Sequence, residues 1–331
     1  MWLTSPPEGV GGTIVTPRFK RAWRRAVTRG KSLRSLAQRP SRAGEPCGVR
    51  PENIVWIFGT GRSGSTWLGS MMESLDGCAM WNEPLIGNLF GNFHYFRVGG
   101  RKSGRQYILG EPYKETWLGP MRDLVLGGAA ARFPELIGGG YLVIKEPNGS
   151  IGSPLLMEAL PESRMIFLIR DPRDVVASSM DARSEGSWLS ERREAQRHTS
   201  KPGRNPNAYA RTRANSYVQQ IEKTRQAYRA HGGHKVLVRY EDLRADTLGT
   251  MKRIYSALQM PVDESELARS VEKNSWENIP EEEKGEGKKR RKAKPGGWRE
   301  DLTSRQIEIV EDITAPLLSE FYPMATTRDS L

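Results

Sequence analysis

The feature that most constrains this chain is a short apolar run ending in a glycine-rich turn that opens into a helical pattern. Asn53–Phe58 reads NIVWIF, and a run of that length with no polar face suits a strand buried on both sides. Gly59-Thr60-Gly61-Arg62-Ser63-Gly64-Ser65-Thr66 follows, and Thr66, Leu68, Met71, Met72 and Leu75 then recur at helical spacing. The same unit returns downstream. Tyr141–Lys145 (YLVIK), Met165–Ile169 (MIFLI) and Lys235–Arg239 (KVLVR) read as further buried strands. Helical patterns cover Val175–Met180, Asn207–His231, Asp246–Leu258 and a stretch from Thr303 in which Pro316 is expected to kink or end the helix. Strands alternating with helices predict an α/β fold with a mainly parallel central sheet flanked by helices. Glu83–Gly140 and Asp181–Pro206 fit that rhythm poorly, carry scattered aromatics and glycines, and are read as substrate loops.

Charge divides the chain. Of its 331 residues, 51 are basic and 39 acidic, a formal +12. Residues 1–50 hold eleven of the basic and two of the acidic residues, so +9 lies there and the remainder is nearly neutral. Residues 1–51, rich in Pro, Gly, Ser and Arg, read as a disordered basic tail. Within it, Arg18–Ala37 is a candidate basic helix for an anionic membrane or an acidic partner. A polyanion such as nucleic acid is not expected, because the excess charge is not in the folded part. Two cysteines, Cys47 and Cys78, exclude a disulfide framework or a four-cysteine zinc site. No apolar run approaches the ~18 residues of a membrane span, and no secretory leader is visible. The expected compartment is cytoplasmic.

The glycine-rich turn is suited to an anion. N–H groups at a helix start lack intrahelical partners, and the dipole is positive there. Gly59, Gly64 and Thr66 fall in register with the phosphate loop G-x-x-x-x-G-K-[ST], but Ser65 stands where the lysine belongs. That lysine serves the β- and γ-phosphates of a nucleoside triphosphate, so its absence argues against an ATPase or kinase. Arg62 and the hydroxyls of Ser63, Ser65 and Thr66 suit a single phosphate or phosphosulfate. A second unit, MIFLIRDPRDVVASS, delivers Arg170 to the C-terminal end of a strand and Ser178 to the following helix, along the edge where open α/β sheets bind ligands.

Arg62-Ser63-Gly64-Ser65-Thr66-Trp67-Leu68 resembles the 5′-phosphosulfate loop of sulfotransferases that use 3′-phosphoadenosine 5′-phosphosulfate (PAPS), in the Arg form of the tyrosylprotein and carbohydrate members. Arg170 and Ser178 match the family's 3′-phosphate ligands in type and spacing. Arg291-Lys292-Ala293-Lys294-Pro295-Gly296-Gly297-Trp298-Arg299 resembles its Arg-Lys-Gly-x-x-Gly-x-Trp-Lys segment. There Arg291 and Lys292 would grip the 3′-phosphate, while Ala293 and Arg299 depart from the pattern. Tyr240, in Tyr240-Glu241-Asp242-Leu243, and Trp276, in Asn274-Ser275-Trp276, correspond to the adenine site. The resemblance implies one sulfotransferase domain over residues 52–325 with a phosphate-loop, nucleotide-kinase-like fold. It also implies a cofactor site including Gly61, Arg62, Ser63, Gly64, Ser65, Thr66 and Trp67, and a product, adenosine 3′,5′-bisphosphate (PAP).

The transfer needs a base for the acceptor and cations at the leaving group. Cytosolic members use a His two residues after a strand-end Lys, but Lys145-Glu146-Pro147 has Pro147 there. Tyrosylprotein members place a Glu twenty-one residues past the loop Arg, which is where Glu83 lies. The resemblance thus assigns Glu83 as base, with Arg62 and Lys145 as electrostatic stabilisers. Glu146 is the reserve base and His94, in the aromatic stretch Phe93–Phe96, a weaker one; both are candidate acceptor contacts. No metal is expected. The expected reaction is sulfuryl transfer from PAPS to a hydroxyl or amine of a small-molecule, glycan or peptide acceptor. The alternatives are a nucleoside or metabolite kinase of related fold and an anionic-surface binding module working through the tail.

Overall fold

The structure is a computed structural model that describes residues 49–98, 106–136, 139–183, 205–285, 288 and 294–323. Residues 1–48 of the expected basic tail, Arg291, Lys292 and most of the Asp181–Pro206 segment lie outside the described residues. Five strands, β1 (Ile54–Phe58), β2 (Cys78–Asn82), β3 (Tyr141–Lys145), β4 (Arg164–Ile169) and β5 (Lys235–Arg239), form one sheet in the order β2-β3-β1-β4-β5. Every pairing is parallel. The helices between them are α1 (Ser65–Glu73), α2 (Ile86–Asn92), α3 (Lys114–Arg132), α4 (Ser153–Ala159), α5 (Pro172–Asp181) and α6 (Pro206–Ala230). After β5 come α7 (Tyr240–Ala245), α8 (Thr247–Ala257), α9 (Glu264–Lys273), α10 (Trp298–Asp301) and α11 (Ser304–Phe321).

Both faces of the sheet are covered, as parallel strands require. Alternate residues of β1 serve opposite faces. Ile54, Trp56 and Phe58 join Trp117 and Met121 of α3 and Tyr217 and Ile221 of α6. Val55 and Ile57 join Leu68, Met71 and Met72 of α1 and Met251 and Ile254 of α8. Each such side chain contributes about 1.5–3 kcal/mol of burial. The Trp56 indole N–H, buried in this layer, donates to Ser163 Oγ at 3.1 Å, which removes the cost of an unpaired donor.

Two expectations need correction. Glu83–Gly140 is not simply loop. It contains α2, a π-helical turn at Phe93–Val98 and the long α3, which buries Trp117, Met121, Val125 and Ala129 at helical spacing. Nor does Pro316 end its helix, because α11 continues to Phe321. Pro316 faces solvent while Leu317 and Leu318 beyond it are buried. The carbonyl freed by the missing N–H can thus turn to water while packing holds the last turn.

Strand order places the site. β1 lies between β3 on one side and β4 on the other, so the chain changes direction about its C-terminal end. A crevice opens at such a switch point, and the glycine-rich turn Gly59–Gly64 sits in it.

Candidate active site

The turn is bound from both sides. Gly64 is left-handed (φ 90°), and a Cβ there would stand 2.5 Å from the Tyr240 ring, so only glycine fits between this turn and the start of α7. Gly59 N–H donates to Ser150 Oγ at 2.9 Å, and Ser63 Oγ donates to Thr60 O at 2.7 Å.

On the β4 side, Arg62 and Ser178 meet. Arg62 Nε donates to Ser178 Oγ at 2.9 Å, and Arg170 Nη1 donates to Arg62 O at 3.1 Å. Arg170 lies 3.8 Å from the Asp174 carboxylate through Nη2, and its guanidinium stacks 4.3 Å from the centre of the Tyr240 ring. Its Nε is buried with no hydrogen-bond partner. An unmet donor of this kind costs about 1–3 kcal/mol.

Asp174, which the sequence reading missed, ties in the third motif. It is buried and accepts from Gly296 N–H at 2.8 Å and Trp298 N–H at 3.0 Å. Burial pushes its carboxyl up against the pull of Arg170 and these two amides. The guanidinium groups of Arg173 and Arg299 lie over the Trp298 ring, 4.1 and 4.2 Å from its centre. The described end of that motif therefore docks on α5, beside Arg170 and Ser178.

Of the two residues matched to an adenine site, Tyr240 packs with Trp67 of α1, and Trp276 lies two residues past Asn274, which Trp67 bonds. Trp67 donates through Nε1 to Asn274 O at 2.8 Å and meets Tyr240 edge to face at 6.2 Å. Asn274 in turn bonds Ser74 Oγ of the loop after α1 at 3.2 Å. Half-buried Trp276 has the Lys284 ammonium 5.4 Å from its ring. Arg244, another residue without a sequence signal, lies 5.4 Å from the Trp67 ring.

Across the turn, on the β3 side, stand a carboxylate and an ammonium. Asn82 pairs with Lys145 in the sheet, and Glu83 N–H donates to Lys145 O at 2.8 Å. Register thus brings residues separated by sixty-two positions side by side. Lys145, whose side chain is 2 % exposed, donates to Glu83 Oε1 at 2.6 Å and to Thr66 Oγ1 at 3.2 Å. Asn148 Nδ2 donates to Glu83 Oε2 at 2.8 Å. Asn148 escaped the sequence reading because nothing local marks it. The Glu83 side chain is 34 % exposed, so it is oriented by two donors and still open to solvent.

The two reserve carboxylate and imidazole candidates lie elsewhere. Glu146 is wholly buried, with both oxygens on backbone amides at the start of α2. His94 is buried in an aromatic nest with Tyr95 and Trp117. Its Nδ1 is 2.8 Å from Leu109 O, and its Nε2 is 3.3 Å from the Glu111 carboxylate. Among the described residues no group of three or more His, Cys, Asp or Glu could hold a metal ion, and no helix is long and apolar enough to cross a membrane.

The fold is that of sulfotransferases of known structure. Mouse sulfotransferase SULT7A1, complexed with PAP, superposes with a TM-score of 0.50 at 13 % identity, covering 82 % of this chain and 86 % of that one. Sulfotransferase STF9 from Mycobacterium avium superposes with a TM-score of 0.52 at 12 % identity, covering 83 % and 78 %. No curated protein matches the sequence. The model of the Sulfotransferase family matches residues 55–264, from the first strand past the α8 helix. Over half the chain fits that model, and its parallel sheet carries the strand–turn–helix site described above: the chain belongs to the sulfotransferase family.

Proposed function

We propose that the protein transfers the sulfuryl group of PAPS to a hydroxyl of a small acceptor and releases PAP. The observation that carries this reading is the joining of Arg62, Arg170 and Ser178 at the end of β1 and β4, with the buried Nε of Arg170 lacking a partner. The mouse sulfotransferase of the same fold is complexed with PAP, which supports the same donor here. Arg170 and Ser178 would hold the 3′-phosphate, Tyr240 and Trp276 the adenine, and the amides of the Gly61–Thr66 turn the phosphosulfate. The donor supplies an activated sulfuryl group on a phosphate leaving group. Glu83, aimed by Lys145 and Asn148, takes the acceptor proton at a carboxylate oxygen. Lys145, hydrogen-bonded to both Glu83 and Thr66, places a desolvated positive charge between base and phosphate turn, where it counters developing negative charge.

The stretch after Glu83 bears on the acceptor. Pro84–Phe96 contains no Asp, Glu, Lys or Arg. Leu85, Leu89 and Phe96 in this stretch, with Ile108 and Tyr113 after it, are five of the six large hydrophobics exposed among the described residues. Such a surface favours an apolar alcohol over an anionic glycan or an acidic peptide, both of which need cations.

Calorimetry with PAP tests the donor, and labelled PAPS offered with 1-dodecanol, glucose and a tyrosyl peptide tests the acceptor. PAP should bind the wild type and bind Arg62→Ala and Arg170→Ala at least ~10-fold more weakly, the scale of a lost charge-assisted contact. Absence of binding, or equal binding to all three proteins, refutes the reading.

A further inference from the structure

We propose that Glu146 is a positioning residue: its buried carboxylate holds the main chain of the Glu83–Gly87 turn and so sets where the Glu83 side chain stands against Lys145 and Thr66. The inference rests on the reading of Glu83 as base and adds a role for its neighbour.

Lys145 and Glu146 are adjacent at the end of β3, and successive side chains there leave on opposite sides. Lys145 reaches the side chain of Glu83. Glu146 reaches the backbone of the same turn, accepting from Leu85 N–H at 3.0 Å through Oε2 and from Gly87 N–H at 3.1 Å through Oε1. Leu85 and Gly87 sit at the start of α2, where N–H groups have no helical partner. The main chain of Glu146 is itself held. Its N–H donates to Ile57 O at 3.0 Å, and its carbonyl accepts from Gly149 N–H and Ser150 Oγ, each at 3.1 Å. The carboxylate lies against Gly149, where any side chain would collide with its Oε1.

The turn needs such a clamp. Glu83 (φ 52°) and Leu85 (φ 62°) are both left-handed without being glycine, and such conformations persist only where the surroundings over-determine them. Two anchors do so, the β3 carbonyl that receives Glu83 N–H on one side and the Glu146 carboxylate on the other.

The clamp works only when ionised. A protonated Glu146 presents an O–H toward an N–H donor and loses one of its two amides. Burial raises this carboxyl to about 7; Glu83, at the end of β2, pushes it the same way, while the two amides and Lys145, on β3, oppose. The turn should therefore loosen as pH falls through neutrality.

The test uses the full chain, with Glu146→Gln, Glu146→Asp and Glu83→Gln beside the wild type. Hydrogen exchange of the segment 84–92, corrected for intrinsic rate, should rise at least ~10-fold in the wild type between pH 8 and pH 6. It should be fast and independent of pH in Glu146→Gln. Turnover of PAPS with the acceptor selected by the panel should fall about 10–100-fold in Glu146→Gln, the effect of a misplaced reacting group. PAP affinity should stay within about twofold, and the acid limb near neutrality should vanish. Glu146→Asp, which keeps the charge, should recover part of the turnover and retain the limb. A slow, wild-type exchange profile in Glu146→Gln overturns the inference, as does loss of turnover in strict proportion to loss of PAP-binding sites, which marks misfolding. If Glu83→Gln keeps full turnover, the assignment of the base falls. If Glu83→Gln is inactive while Glu146→Gln behaves as wild type, only the role of Glu146 falls.

Discussion

Glu146 also makes a prediction about stability, opposite in sign to its effect on turnover. Its carboxyl is raised from the ordinary 4.5 to about 7 in the folded protein, mainly by burial. At about 1.4 kcal/mol for each unit, the folded state binds this proton more tightly than the unfolded chain by about 3 kcal/mol. A raised carboxyl contributes stability that is fully present below the unfolded value and is lost as pH rises through the folded one. The protein should therefore gain up to about 3 kcal/mol from this group as pH falls from 8 toward 4.5, while the Glu83 turn loosens. Glu146→Gln has no such proton to bind. Urea unfolding of both proteins at pH 8, 7, 6 and 5 yields the difference in unfolding free energy at each pH, in which the contributions of other titrating groups cancel. That difference should move by about 2–3 kcal/mol in favour of the wild type between pH 8 and pH 5, most steeply near pH 6, midway between the folded and unfolded values. A difference that stays flat within about 0.5 kcal/mol would refute the claim that an ionised Glu146 is held in the interior. One that moves the other way would mean that the two amides outweigh burial.

Other consequences can be checked with the same methods. Asp174→Asn should weaken PAP binding about tenfold and lower stability by about 2 kcal/mol, because the amide keeps one acceptor for two N–H groups and removes the charge beside Arg170; unchanged affinity in calorimetry would show that the Gly296–Trp298 segment does not serve the donor. Gly64→Ala should cost at least about 2 kcal/mol in urea unfolding, from a left-handed backbone and a Cβ pressed against the Tyr240 ring. Leu89→Glu, on an exposed position of α2, should leave PAP affinity unchanged and raise KM for an apolar acceptor several-fold; an unaltered KM would remove this face from the acceptor site.

The elements legible in the sequence were those whose signal is local. The four apolar runs read as strands are strands β1, β3, β4 and β5; the first three are buried along most of their length, while β5, at the other sheet edge, buries only Val236 and Val238 at alternate positions. β2 was not legible from its own residues. Cys78-Ala79-Met80-Trp81-Asn82 is half-exposed at the sheet edge and shows no alternation, so only its pairing with β3 makes it a strand. Helix α3 was hidden by Gly127, Gly128 and Pro120, which lower helix propensity but are outweighed by the buried face of Trp117, Met121 and Val125. In the site, the Gly59–Thr66 turn and the Arg170–Ser178 unit were visible as motifs. Asn148 and Asp174 were not, because each acts on a partner more than sixty positions away and carries no local mark.

The sequence by itself determined an α/β chain with a glycine-rich turn between strand and helix that lacks the lysine of nucleoside triphosphate enzymes, since glycine placement and apolar runs act over a few residues. It left three candidates, Glu83, Glu146 and His94, for one proton. Tertiary structure gave each a different setting. The pairing of β2 with β3 laid Glu83 beside Lys145, and the alternation of side chains at the end of β3 sent Glu146 to the backbone beneath it. His94 went into an aromatic nest with both ring nitrogens engaged. Which side of a strand a residue faces, and what lies there, depends on the neighbouring strand, and that neighbour comes from elsewhere in the chain.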